Sequence, residues 1–86
     1  MPVVSTGVTV GTSITAVSGP YISSKIVYLQ SGTAGALTYV GGDDVSASNG
    51  ILLSETNNAV FQTNADDTLY CISDTAGAVV KVVEVK

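Results

Sequence analysis

Thr38–Leu53 reads TYVGGDDVSASNGILL. A short apolar strand runs into the turn Gly41-Gly42-Asp43-Asp44. A second turn signal, Asn49-Gly50, leads into Ile51-Leu52-Leu53. Asn-Gly is the pair preferred in two-residue type I′ hairpin turns, although flanks this short also fit a loop. Apolar residues persist for a few positions and then stop at glycine and aspartate. That is the punctuation of strands and turns, not a helical repeat.

The same grammar extends outward. Val3–Val10 reads as a strand with Val8 and Val10 on one face and Thr9 on the other, ended by Gly11. Thr12–Val17 alternates again, with Ile14 and Ala16 opposite Thr15 and Val17, before the turn cluster Ser18-Gly19-Pro20. Ser24–Gln30 (SKIVYLQ) is the clearest strand: Ile26 and Tyr28 share one face, Val27 and Leu29 the other. Joined through Ser31–Gly35 to Ala36–Val40, it predicts a β-hairpin over 24–40. Toward the C-terminus come Asn58–Thr63 with Phe61 as its anchor, a turn at Asn64–Asp67, Thr68–Ser73, a turn at Asp74–Gly77, and Ala78–Val85. In the last strand Val79, Val83, Val85 and Lys81 line one face, and Val80 and Val82 the other. The expected class is all-β: a small antiparallel β-sandwich or barrel of about seven to eight short strands in a single domain, 1–86.

Composition agrees. The chain is 45% hydrophobic, yet it has no Trp and one Phe. Its apolar content is Val, Ala, Ile and Leu with much Thr, which suits pleated sheets. Charged residues are 12%, about half the usual share for a soluble domain. Such a surface is weakly guarded against association. Ser24–Gln30 and Ala78–Val85 are apolar on both faces and need cover on both sides. In so small a domain a neighbouring subunit supplies the second cover. Tyr21, Tyr28, Tyr39, Val80 and Val82 are the expected interface residues. The last strand is expected to be central, or paired across an interface, because an exposed edge of that kind invites aggregation.

Several functions are excluded by what the chain lacks. Its net charge is −4, with three Lys and no Arg. Lys25, Lys81 and Lys86 cannot build the cationic footprint that nucleic acid or an anionic membrane surface requires. No apolar run approaches the ~20 residues of a membrane span. The start MPVVSTGV has neither a basic region nor an apolar core, so it does not read as a signal peptide. Cys71 stands alone among Leu69, Tyr70 and Ile72, which points to synthesis in a reducing cytosol and to a buried, unreactive thiol.

With no His, Ser-His-Asp and Cys-His arrangements and His-ligated metals are ruled out. Gly7–Gly11 lies between strands and opens no helix, so it is not a phosphate-binding loop. Asp43-Asp44, Asp66-Asp67, Asp74 and Glu55 are the remaining polar candidates, for Ca²⁺ or for paired carboxylates. Neighbours on a strand point to opposite faces, and the spacing lacks the D-x-D-x-D-G order of a Ca²⁺ loop. Asx-turn chemistry accounts for them instead. The expectation is therefore no catalytic residue, no metal and no cofactor. The aromatics Tyr21, Tyr28, Tyr39, Phe61 and Tyr70 have no basic groove beside them, so they read as core and interface anchors.

Ile26–Gln30, Leu37–Val45, Ser48-Asn49-Gly50 and Leu69–Ser73, followed by the Val-rich strand Val79–Val85, together resemble small virion proteins of tailed bacteriophages. The resemblance covers about Val8 to Val85 and rests on apolar strands and glycine turns. It implies a β-sandwich on the outside of the capsid: a decoration or cement protein, made in the host cytoplasm, that binds the major capsid protein and itself as a homotrimer. The alternative it leaves open is a carbohydrate- or receptor-binding module of a phage fibre or tail.

Overall fold

The computed structural model describes residues 3–54 and 56–86. Eight strands follow one another: β1 (Val3–Thr9), β2 (Thr15–Ser18), β3 (Lys25–Ser31), β4 (Thr38–Gly41), β5 (Ile51–Leu53), β6 (Ala59–Thr63), β7 (Leu69–Ser73) and β8 (Val79–Val85). They form two four-stranded sheets, ordered β1-β8-β3-β6 and β2-β7-β4-β5. All pairings are antiparallel. The expected all-β sandwich is the observed class, and its strand order is that of a jelly roll.

The chain changes sheet at almost every connection; β4 and β5 are the consecutive strands that stay together. The hairpin therefore lies in the Thr38–Leu53 stretch, with Thr38 opposite Leu53 and Val40 opposite Ile51. Its connection is the whole loop 42–50, not a two-residue turn. Val45 N donates to Gly42 O at 3.1 Å, and the buried Val45 anchors the loop. Asn49 braces it: Oδ1 accepts from Ser46 N at 2.7 Å, and Nδ2 donates to Asp44 O at 3.1 Å. Asn49-Gly50 is thus not a type I′ turn, because neither residue has positive φ. Gly50 is needed for space, since a Cβ there would lie 2.7 Å from Tyr39 Cβ.

The hairpin expected over 24–40 is overturned. β3 and β4 belong to different sheets. After β3 the chain is tied to β8, where Gly32 N donates to Val79 O at 2.7 Å and Val79 N to Thr33 Oγ1 at 2.9 Å. Ala36 is then buried as the chain crosses the core. The strand expected over Thr12–Val17 is also shorter, Thr15–Ser18. A bulge between Ala16 and Ser18 turns both Val17 and Ser18 inward.

β8 is central, between β1 and β3. Its Val80 and Val82 join Val27 and Leu29 of β3 on the inner face. There they pack with Val10, Val17, Val40, Leu53, Ala59 and Cys71. Each fully buried Val or Leu contributes about 1.5–3 kcal/mol. Cys71 is sealed in this core as a packing residue, and burial pushes its thiol up to about 12.

Candidate interaction surface

Among the described residues, nothing covers the opposite face of the β1-β8-β3-β6 sheet. Register places Val3, Val85, Ile26 and Gln62 in one row across it. Ser5, Val83, Tyr28 and Val60 form the next, and Gly7, Lys81 and Gln30 the third. Val3 is 63% exposed, Val60 57%, Tyr28 45% and Ile26 38%. These are large apolar groups standing together, which marks an interaction surface more than scattered exposed residues do. Tyr28, Gln30, Asn58, Val60, Lys81 and Val83 line a groove there. A second, flatter depression runs on the other side of Lys81 along Ser5–Gly7. The Lys81 side chain stands between the two.

The expected interface residues do not converge. Tyr28 lies on this face. Tyr39 lies on the outer face of the other sheet, paired across the strands with Leu52 and Ile72. Tyr21 is half-buried in the connection before β3, with Lys86 Nζ 4.9 Å from its ring centroid. Val80 and Val82 are corrected: at 0% and 2% exposure they fill the subunit's own core and have no surface to offer a partner. The alternation of β8 was read properly, but both of its phases are Val-rich, so the inward one could not be told apart. Ile26, Val60, Val83 and Lys81 share this face with Tyr28 and were not among the expected interface residues. Ile26 and Tyr28 share a phase, as do Lys81 and Val83, but Glu84 in the other phase of β8 cancels any outward signal from Lys81.

A polar brace closes one end of the sandwich. Lys25, whose side chain is 3% exposed, meets Glu84 Oε2 at 2.5 Å and donates to Gly19 O at 2.6 Å. Ser18 Oγ donates to the same Glu84 oxygen at 2.7 Å, and Lys86 Nζ lies 3.9 Å from Oε1. Burial pushes the Glu84 carboxyl upward. Hydrogen bonds from Lys25 and Ser18, with the charges of Lys25 and Lys86, outweigh it and hold the group below the ordinary carboxylate range. The cluster ties β2 to β3 and β8, and so joins the two sheets.

The aspartates sit in turns. Asp67 Oδ2 accepts from Asn64 N at 2.9 Å, and Asp66 takes φ 71° in the same turn. Asp74 Oδ1 accepts from Thr75 Oγ1 at 2.8 Å and Leu37 N at 3.0 Å. The Thr75 bond is the larger cause holding its carboxyl below the usual range. Glu55 lies outside the described residues. Among those described, no three or more His, Cys, Asp or Glu side chains gather as metal ligands.

This fold has a solved counterpart. A chain of the Bacillus endospore appendages, described as a novel family of disulfide-linked pili, superposes with a TM-score of 0.57 over 96% of this chain and 83% of that one, at 20% identity. At that identity the likeness is one of fold. No protein-family model and no curated protein matches the chain.

Proposed function

We propose that the chain is a non-enzymatic structural subunit, specifically a decoration protein on the outside of a tailed-phage head. It binds the major capsid protein and copies of itself as a trimer. The observation that carries this reading is the uncovered face built from Val3, Ile26, Tyr28, Val60, Val83 and Val85. Against a lattice, such a face adds many weak contacts, which symmetry multiplies into strong attachment. The mechanism is mass action: a protein that binds the assembled lattice and not loose subunits stabilises the lattice. The low charge, the acidic balance and, among the described residues, the lack of a gathered acid, base and nucleophile fit this role better than catalysis or nucleic-acid binding.

A second reading is favoured by the fold likeness: a subunit of an extracellular appendage, as the Bacillus neighbour is. In that case its subunits hold together without a disulfide through Cys71 as placed here, because that thiol is buried in the core. Glycan or receptor binding at a fibre or tail is the remaining alternative, with Tyr28, Gln30 and Asn58 in the groove as its contact groups.

The test compares heads assembled with and without the protein. The expected result is that decorated heads withstand higher temperature or more chaotrope. Equal burst temperatures, with the protein found at tail tips or on a separate fibre, would overturn the decoration reading.

A further inference from the structure

We propose that the groove beside Lys81 receives the Asp43–Asp44 loop of a second copy of this chain. The inference rests on the trimeric structural role above and names the segment that makes the contact. A ring of identical subunits with threefold symmetry uses heterologous contacts, so each copy presents two different patches that complement each other. This chain carries such a pair.

The first patch is the groove. Tyr28, Val60 and Val83 give it apolar walls, and Gln30 and Asn58 add amides. Lys81 supplies its positive charge. Among the described residues the ion pairs are Lys25–Glu84 and Lys86–Glu84, and Lys81 belongs to neither. Apolar walls lower the local dielectric, so a carboxylate arriving there is attracted more strongly than at an open surface.

The second patch is the loop after β4. Asp43 and Asp44 are exposed there. Asp67 and Asp74 are occupied as caps of their own turns. The carboxylates of Asp43 and Asp44 accept no such bond among the described residues. Buried Val45, the Val45–Gly42 hydrogen bond and the two Asn49 bonds already hold the loop in shape. A preordered loop loses little freedom on docking.

The loop belongs to one sheet and the groove to the outer face of the other, so the two patches serve different neighbours around a ring. The charge pair fixes orientation and register, while the surrounding Val and Tyr contacts supply area. It also offsets the mutual repulsion of subunits that each carry a net charge of −4.

The experiment is sedimentation velocity across a concentration series with wild type, Lys81→Glu, and the double variant Asp43→Lys/Asp44→Lys. Lys81→Gln serves as a milder control, and thermal melts check that each variant folds. Each charge variant alone is expected to associate about tenfold or more weakly than wild type. The combined variant Lys81→Glu/Asp43→Lys/Asp44→Lys is expected to regain wild-type association, because in all three contacts of the ring each groove again meets a loop of opposite sign. If folded Lys81→Glu and Asp43→Lys/Asp44→Lys associate as wild type does, this contact is wrong, while the structural-subunit reading stands. If both are weakened and the combined variant, though folded, fails to recover, the pairing is also wrong. A wild type that is monomeric in solution and in its native particle would overturn both proposals.

Discussion

The inner and outer faces of β3 and β8 use the same kinds of residue to different ends. Inside, Val27, Leu29, Val80 and Val82 are at most 2% exposed and close against the second sheet. Outside, Ile26, Tyr28 and Val83 share the strands, but no described layer lies over them. Hydrophobicity therefore does not say which face a subunit covers for itself. Polar residues do not settle it alone: Lys81 and Gln30 occur in the outer phase of these strands, but Lys25, Ser31 and Glu84 occur in the inner one, where Lys25 and Glu84 pair. Inner-face changes should act on folding, and outer-face changes on assembly.

The largest effect is expected from Leu29→Ala, which opens a cavity where packing is closed and should cost about 4 kcal/mol in chemical denaturation. A cost below about 1 kcal/mol would place that face outside the core.

Next comes the brace. Glu84→Gln leaves Lys25 buried without its counter-charge and should cost about 3 kcal/mol. The wild-type pH dependence follows from the sign of the Glu84 shift. Its folded value lies below the ordinary 4.5, so the group's contribution is fully present above pH 4.5 and is lost as pH falls through the folded value. The Glu84→Gln variant should lose part of this acid sensitivity. An acid profile identical to wild type would detach the brace from stability.

Cys71→Ser should cost about 2 kcal/mol by burying a hydroxyl with no designed partner, and Cys71→Ala should cost less. Thermal melts of the two variants check the order. Equal and negligible changes would mean that the core does not close around β7.

The smallest folding effect is expected on the outer face. Tyr28→Ser and Val60→Ser should each shift subunit stability by no more than about 0.5 kcal/mol, while weakening attachment to the particle. Loss of folding rather than of attachment would erase the distinction between the faces.

How far the fold was legible depends on the range of the interactions involved. Strand positions follow from alternation and glycine punctuation, which are local, so Lys25–Ser31 and Leu69–Ser73 lie within a residue of expectation. Pairing is not local in a jelly roll. The connection after β3 looks like a hairpin turn in sequence, yet its bonds to Val79 join residues far apart in the chain. At Asn49-Gly50 the loop alternative is the one observed, and glycine is required there for a close approach rather than for its backbone freedom. The brace of Lys25, Ser18 and Glu84 was hidden because its members lie on three separate strands. Tyr28, named from the sequence as an interface residue, lies on the exposed face, where no described residue shows what it meets. Val80 and Val82 were misplaced because two Val-rich phases of one strand give no inward signal.

In the working assembly the outer face of β1-β8-β3-β6 should be covered by protein. Val60→Cys places an exposed thiol on that face, on the edge strand β6, while Cys71 stays silent because it is buried and its thiol is pushed to about 12. Maleimide labelling of this variant is then measured on the free subunit and on the native particle. Rapid labelling of the free subunit and strong protection in the particle are expected. Equally rapid labelling of both, in a particle that contains the protein, would contradict that cover.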